Sequence, residues 1–499
     1  MDITVLVFLS SGLFLGWSLG SNDAANIFGT AVGSRMIRFE TAAIICAVFV
    51  VLGAVIGGAG AAHGLGKLGA VNAIAGSFMV ALSAAVTVFG MTKLGLPVST
   101  TQAVVGGIIG WNLFGGFLTD MNTLSKIVAT WVACPLLGAL FGGLLYKGTN
   151  AFLRWASFHM IRLDSITRIG LILAGAFGAY SLGANNIGNV MGVFVSSSPF
   201  ETLDVMGLFS LSSVQQLFLL GGLAIAVGVF YSRPVMMTVG NSILPVSPVG
   251  AWVVVMAQSM VLFIFSSNEL LAFVVGLGLP AYPLIPVSSS QAVIGAVIGI
   301  GLTHGLSGVS QIRWGVLANI GSGWVSTPIV SAAISFFFLF FLQNVFQQQV
   351  YEEVRYRVSA AVIEHLAESS ISSPSLAPLL DQEIVSAKAF RDALRSNEQL
   401  PDSEELEVIA ASEIYRMQVT QEKLAQLDHD YLGSERATAV NSLLQQRFEY
   451  RWQLADALAS VSEVWQAQED SILTRNYNKK LHANLDYLYR HLRAEPGDG

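Results

Sequence analysis

Ser18-Leu19-Gly20-Ser21-Asn22-Asp23-Ala24-Ala25-Asn26-Ile27-Phe28-Gly29 returns, with few changes, as Ser181-Leu182-Gly183-Ala184-Asn185-Asn186-Ile187-Gly188-Asn189-Val190-Met191-Gly192. A second stretch also occurs twice, as Pro97-Val98-Ser99-Thr100-Thr101-Gln102-Ala103-Val104 and Pro286-Val287-Ser288-Ser289-Ser290-Gln291-Ala292-Val293. A third echo follows in the same order, Trp131-Val132-Ala133-Cys134-Pro135 against Trp324-Val325-Ser326-Thr327-Pro328. The offset is 163 from Gly20 to Gly183, 189 from Pro97 to Pro286 and 193 at the tryptophans, which implies an insertion in the second copy, placed around Asn268–Leu284. Each passage lies within a long apolar stretch. A duplicated membrane half, with Gly and polar groups interrupting matching segments, is the sequence sign of a secondary transporter.

Over 499 residues the chain is 53% hydrophobic and 12% charged, against about 25% charged in a typical soluble domain. The shortfall lies in residues 1–350, with 8 Asp and Glu and 11 Lys and Arg; residues 351–499 hold 25 and 15. Apolar stretches at 41–62, 71–91, 127–146, 205–231, 249–266 and 315–342 approach or exceed the roughly 20 residues that span a bilayer. Four more, near 3–33, 96–117, 168–195 and 284–303, are interrupted, so about ten membrane segments are counted. A soluble core does not account for so many charge-poor runs. Cys46 and Cys134 both lie in apolar segments, with neither disulfide nor zinc spacing. Asp2, with no basic residue before the first apolar run, argues that this segment is retained.

The predicted fold is all-α: a polytopic membrane protein of two inverted repeats plus a soluble helical C-terminal region. The predicted division is 1–167 for the first membrane repeat, 168–346 for the second and 347–499 for an acidic helical domain. Five segments per repeat make the second copy inverted. Arg35, Arg38, Lys93, Lys147, Arg154, Arg162 and Arg168 then fall on one side, and Lys67 and Lys126 on the other. The richer side should be cytoplasmic, which places the N-terminus and, if all ten segments cross, the tail outside. Hydroxyl segments that turn back would change this parity.

Within the tail, Ser369–Pro378 reads as a linker, and Pro401-Asp402-Ser403-Glu404-Glu405 as a helix start capped by Ser403. Leu481, Leu485, Leu488 and Leu492 form one apolar stripe, and Leu443, Leu444, Phe448, Leu454, Leu458 and Val461 suggest another amphipathic helix. A small helical bundle with a solvated acidic face is expected. Glu269 is read as a loop residue.

Inside lipid, irregular backbone survives only where it lines a protein-enclosed cavity. Gly20, Gly29, Gly183, Gly188 and Gly192 make local unwinding cheap. Asn22, Asp23 and Asn26 offer a carboxylate and two amide oxygens, a donor set for a hard cation, and a membrane-embedded Asp marks a functional site by default. Asn22 and Asn26, four apart, share a face if the helix persists. The second copy has Asn186 in place of Asp23, so it lacks the charge. Ser99, Thr100 and Thr101, with Ser288, Ser289 and Ser290, supply six hydroxyls behind Pro97 and Pro286. Each triplet can open a half-helix whose free N–H groups face an oxyanion. Gln102 and Gln291 are placed to brace the turns.

Gly20-Ser21-Asn22-Asp23-Ala24-Ala25-Asn26 and Leu96-Pro97-Val98-Ser99-Thr100-Thr101 resemble the paired signatures of the inorganic phosphate transporter (PiT) family. Thr238-Val239-Gly240 and Trp324-Val325-Ser326-Thr327-Pro328 look similar to further family patterns. The resemblance covers about residues 1–345. It implies symport of inorganic phosphate with Na⁺ or H⁺, through an inverted-repeat, usually homodimeric protein of the cell membrane (the inner membrane in a Gram-negative source). By that similarity Asp23, Asn26, Asn186 and Asn189 match the cation motif, and Ser99, Thr100, Thr101, Ser288, Ser289 and Ser290 the phosphate motif. Family members usually carry Asp in both copies and often His after the hydroxyls, where this chain has Asn186, Gln102 and Gln291. The alternatives are a sulfate permease of the same fold and an uncoupled anion channel; Asp23 argues against the channel, since a buried carboxylate repels an anion that no cation accompanies. No Ser-His-acid, His/Cys metal or phosphate-loop motif points to an enzyme, no cofactor is expected beyond the coupling ion, and no nucleic-acid partner is expected.

Overall fold

A computed structural model describes residues 3–58, 68, 71–93, 98–195, 198, 200, 203–205, 209–233, 236, 247–368, 374–397, 400–425, 427, 432–469 and 474–494. The chain forms two units, Met1–Gly115 with Thr119–Glu352, and Gly116–Leu118 with Glu353–Gly499. Pro97 and Thr238-Val239-Gly240 lie outside the described residues.

The first unit is built of apolar helices. In chain order they are α1 (Ile3–Asn22), α2 (Ala24–Gly33), α3 (Phe39–Gly57), α4 (Ile74–Lys93), α5 (Thr100–Gly115), α6 (Met121–Ala156), α7 (Met160–Met191), α8 (Ser213–Val229), α9 (Pro248–Ile264), α10 (Asn268–Gly276), α11 (Ser289–Thr303), α12 (Gly305–Gln311) and α13 (Trp314–Asn344). A short hairpin, β1 (Leu203–Val205) on β2 (Phe209–Leu211), precedes α8. Among the described residues six helical stretches are long and apolar enough to cross a membrane, or seven if α9 and α10, bent by 77°, form one span. The protein is therefore an all-α polytopic membrane protein.

Caps mark several helix starts. The Asp120 side chain accepts from the Asn122 and Thr123 amides at the start of α6, Ser212 and Gln215 form a reciprocal capping box on α8, and Ser247 caps α9, with Pro248 in its first turn. Side chains thus satisfy donors that a helix end leaves open. The hydroxyl helices are shorter. α5 has 16 residues and α11 has 15, so they are about 24 and 22 Å long at about 1.5 Å per residue. Each falls short of a hydrocarbon core of about 30 Å.

The two halves interlock. α1 packs on α8 and α7 on α3; α5 packs on α13 and α11 on α6. In each pair a helix of one half meets a helix of the other, and the second pair repeats the first with the halves exchanged. Glycine permits the approach. A Cβ on Gly20 would overlap the Ile225 carbonyl and one on Gly228 the Trp17 carbonyl; in the matching pair Gly183 meets Val50 and Gly53 meets Tyr180. Gly106 lies against the carbonyl of Pro328, and Gly295 against that of Pro135.

These contacts correct three expectations. The glycines do not unwind the first motif: α1 passes to α2 at Asp23 alone, whose backbone stays helical at φ −71° and ψ −35°, and α7 runs unbroken through the second copy as far as Met191, where a 3₁₀ turn takes over. Their role at Gly20 and Gly183 is close packing, because a helix interior that pairs its own backbone costs less in lipid than an open one. The insertion is also split. The offset has already risen to 175 at Gly53 and Gly228, so part of the extra chain precedes α8, in the stretch holding the hairpin. Finally, Glu269 lies in the first turn of α10, not in a loop, and its carboxylate accepts from the Ser267 hydroxyl at 3.0 Å.

The second unit has two apolar clusters. One gathers Tyr356, Phe390, Val408 and Tyr450 around the ladder β3 (Arg355–Arg357) on β4 (Glu383–Val385) and the helices α14 (Ala360–Glu368), α15 (Ala387–Asn397) and α16 (Asp402–Ser412). Leu118 packs against this cluster, and the Gly116 carbonyl accepts from the Ser386 hydroxyl at 3.3 Å. Glu405, 3% exposed, is held by Arg391 and Arg395 at 3.2 and 2.7 Å. The other cluster surrounds Trp465 and includes Leu481, Leu485, Leu488 and Leu492 on and just after α20 (Arg475–His491), so the predicted stripe is buried.

Other tail readings change. Residues 374–379 form a 3₁₀ turn whose Leu376 and Leu379 are in the core, so that end of the Ser/Pro stretch is not a linker; 369–373 lie outside the described residues. α16 starts at Asp402 with Pro401 at the N-cap position, so Ser403 lies within the helix and not at its cap. Leu443 to Val461 is not one helix: after α17 (Gln421–Ala425), α18 (Ser434–Asn441) ends first, β6 (Arg447–Phe448) pairs with β5 (Met417–Gln418), and α19 (Arg451–Val461) follows. An apolar spacing compatible with a helix is equally satisfied by a turn and a strand that return to one core.

Overpacking a tight interior costs about 1–3 kcal/mol or more. Gly20→Ala and Gly295→Ala should each abolish monodisperse elution in detergent. Gly148→Ala, with nothing within 4 Å of the added carbon, should elute like the parent. Fluorescence-detected size-exclusion chromatography reads all three.

Candidate functional site

All ten residues singled out above are buried, none more than 3% exposed. Asp23 sits where α1 meets α2. Thr100, in the first turn of α5, donates its hydroxyl to Asp23 Oδ2 at 3.0 Å, and the hydroxyls of Ser289 and Ser290 also act on that carboxylate. Asn26, on α2, donates through Nδ2 to Ser289 Oγ and Ser290 Oγ, both at 3.2 Å. Asn189, on α7, donates through Nδ2 to Thr101 Oγ1 at 2.9 Å. The first amide motif therefore meets both hydroxyl motifs, and the second amide motif meets the first. Residues 77 to 264 positions apart converge on one centre.

The hydrogen-bond directions matter chemically. A hydroxyl has one proton to give and two lone pairs. Where Asn26 or Asn189 donates to a hydroxyl oxygen, that hydroxyl keeps its own proton for a further acceptor. These hydroxyls, Thr101, Ser289 and Ser290, stand at the starts of α5 and α11, where the helix dipoles are positive; Ser290 donates to the Val98 carbonyl at 3.4 Å, and Ser289 and Ser290 also bear on the Asp23 carboxylate. Ser99 and Ser288 act differently: each accepts a backbone amide of its own helix, Gln102 N at 3.4 Å and Gln291 N at 3.2 Å.

The irregular backbone ahead of α11 is also paired. Asn185 Nδ2 donates to the Val287 carbonyl at 2.8 Å, and Val287 N donates to Asn185 Oδ1 at 3.1 Å. Its counterpart Asn22 does something else, donating to Thr92 Oγ1 at 2.6 Å. Asn22 therefore does not join Asn26, although helical spacing would allow it. The two copies differ again at the next residue. Asn186 Oδ1 accepts from Asn189 Nδ2 at 2.9 Å, while Asp23 collects hydroxyls.

Oxygens without donors point to a cation. Among the described residues, Asn189 Oδ1, Gln258 Oε1, Gln102 Oε1 and Gln291 Oε1 are buried with no hydrogen-bond partner, so Gln102 and Gln291 do not brace their turns through these oxygens. No Lys, Arg or His is among the groups acting on Asp23. Amide oxygens without a donor, together with a buried carboxylate met by hydroxyls, suit a hard cation with oxygen ligands. No three His, Cys, Asp or Glu of the described residues gather as a transition-metal site would need. Asn185 and Gln258 are the polar residues that motif reading passed over. Their signal was an amide inside an apolar run.

A profile of the phosphate transporter family matches residues 19–164, 155–335 and 269–399; the last stretch runs beyond the 345 at which the resemblance was drawn. A candidate phosphate permease of Thermococcus kodakarensis is 25% identical over 413 residues, covering 68% of this chain and 97% of that one. A sulfate permease of Bacillus subtilis is 29% identical over 349 residues, covering 67% and 86%. A solved structure, a sodium-dependent phosphate transporter, aligns with a TM-score of 0.53 and 22% identity, over 69% of this chain and all of the other; at that identity it speaks for the fold.

The asparagines at 22 and 185 separate by experiment. Asn185→Ala strands two buried backbone groups, each costing about 1–3 kcal/mol, whereas Asn22→Ala frees one side-chain hydroxyl that also bonds Val88 O. Asn185→Ala should lower the aggregation midpoint in detergent by several degrees more than Asn22→Ala, read by thermal size-exclusion assay.

Proposed function

The chain belongs to the phosphate transporter family, and we propose that it is a secondary symporter that carries inorganic phosphate with a cation. The observation that carries this reading is the convergence of Asp23, Asn26 and Asn189 on the two hydroxyl triplets. Hydroxyl protons and two helix N-termini can hold an oxyanion without a fixed positive charge. Such a site binds and releases, as transport requires. Asp23 supplies the coupling. Unaccompanied, its carboxylate repels the anion; a cation held by Asp23 and the neighbouring amide oxygens removes that repulsion. Neither ligand then enters favourably alone. The packing of helices from both halves around these residues supports alternating access about a fixed site.

The division into repeats 1–167 and 168–346, a homodimeric assembly and a place in the cell membrane belong to the same reading and rest on the duplicated motifs and the resemblance. Sulfate is the second substrate reading, favoured by the similarity to the Bacillus subtilis sulfate permease. Uptake of labelled phosphate and sulfate into proteoliposomes, each under an imposed Na⁺ or H⁺ gradient, tests the proposal. Accumulation of phosphate only with a cation gradient supports it; equilibration without concentration in every condition indicates a channel.

Asp23→Asn should abolish concentrative uptake while the protein stays monodisperse, because it removes the one carboxylate of either motif copy. Accumulation at near wild-type rate would refute the cation assignment. Ser99→Ala and Ser288→Ala should each weaken substrate affinity, directly or by loosening the helix start they cap. A hydrogen bond to a charged group is worth about 1.5–3 kcal/mol, or roughly tenfold or more in affinity. Unchanged KM in both variants would move the anion site elsewhere.

A further inference from the structure

Among the positions where the halves differ, two polar residues bear on the first motif. One is Asp23, opposite Asn186. The other is Gln258 on α9. Thr30 on α2 contacts Ala251 O of α9, and Val193 O is bonded by Ser77 of α4, so the matching positions of α4 and α9 differ by 174. Gln258 thus stands opposite Ser83–Ala84 of the first half, where Ser83 bonds back to Val80 O of its own helix. Gln258 instead reaches out of its helix. Its Nε2 donates to the Asn26 carbonyl at 2.8 Å, and Asn26 N in turn donates to the Asp23 carbonyl at 3.1 Å.

Gln258 is fully buried, and its Oε1 has no donor among the described residues. An amide oxygen left bare in a membrane interior is costly. It does not suit an anion, which would meet the negative end of the C=O dipole. It suits a metal cation. Building on the symport reading, we propose that Gln258 is a ligand and positioning residue of the coupling Na⁺: Nε2 fixes the first turn of α2 through Asn26, and Oε1 faces the ion whose charge Asp23 balances. The second motif has no equivalent, because its Asn186 oxygen is taken by Asn189. The stronger cation position is then single and belongs to the first motif.

The test uses the full chain in proteoliposomes. Na⁺ is titrated at saturating phosphate, and phosphate at saturating Na⁺, for the wild type, Gln258→Met and Gln258→Glu. Na⁺-induced thermal stabilisation in detergent without phosphate is read alongside. Gln258→Met should raise the Na⁺ needed for half-maximal uptake at least tenfold and shrink the Na⁺ stabilisation, with the phosphate KM at saturating Na⁺ changed by a smaller factor. Gln258→Glu keeps an oxygen and should need less Na⁺ than Gln258→Met. A folded Gln258→Met with unaltered Na⁺ dependence overturns the inference, and a water, not an ion, then satisfies Oε1. If Gln258→Met aggregates, Gln258→Ala, which also removes Oε1, decides, and a Na⁺ half-saturation within twofold of wild type in that variant overturns it. A wild type driven by H⁺ alone also overturns it, since an amide oxygen coordinates a metal ion and carries no proton. Uptake indifferent to both cations would instead refute the symport reading.

Discussion

Two helices can bring their backbones together only where no Cβ stands between them, and this membrane unit is assembled on that condition. Gly20 against Ile225, Gly183 against Val50, Gly106 against Pro328 and Gly295 against Pro135 are each a glycine on the carbonyl of a helix from the other half. Without a hydrophobic drive between helices in lipid, such small-residue contacts let dispersion and weak polar forces hold a bundle. They also set the height at which α5 and α11 begin. Ser331 and Ser335 of α13 add hydroxyl bonds to the Ala103 and Gly107 carbonyls, at 2.6 and 2.9 Å. The hydroxyl triplets are positioned by packing far from themselves.

The interlocking has a chemical consequence. Because each half lends its amides to the hydroxyls of the other, no half contains a complete site. Asn26 orients Ser289 and Ser290, and Asn189 orients Thr101. A motion of one half relative to the other would therefore alter every one of these bonds together. The symmetry is imperfect where charge is concerned. Asp23 and Gln258 both bear on the first motif, and the second has only neutral amides that partly pair with each other.

The acidic tail follows soluble rules. Its helices bury leucines and aromatics in two clusters and leave most carboxylates to water. Among the described residues Glu405 is the buried exception, and two arginines accompany it, as a buried charge requires. The unit also recruits Gly116–Leu118, the three residues that follow α5 in the chain. The end of a hydroxyl helix is thus covalently continuous with the core of the tail.

Much of this was legible in the sequence because duplication is a strong signal. Two copies of Gly-x-Asn-[Asp/Asn] and of Pro-Val-Ser-[Ser/Thr]-[Ser/Thr]-Gln mark a centre without any structure, and charge-poor runs mark the membrane because lipid tolerates little else. The leucine stripe at 481–492 was legible for the same local reason, that side chains three and four apart share a helix face. What lay beyond reach were partners distant in sequence. Nothing near Gln258 announces Asn26, 232 residues away, and nothing near Gly20 distinguishes a hinge from a contact with Ile225. Leu443 to Val461 misled because burial against one core does not require one helix. The sequence by itself determined the membrane class, the two-copy plan and the residue types of the site, since these depend on composition and repetition. Only the tertiary structure decided which hydroxyl meets which amide, that glycine serves packing, and that Gln258 joins the first motif, because each depends on the distance between chain segments that only folding brings together.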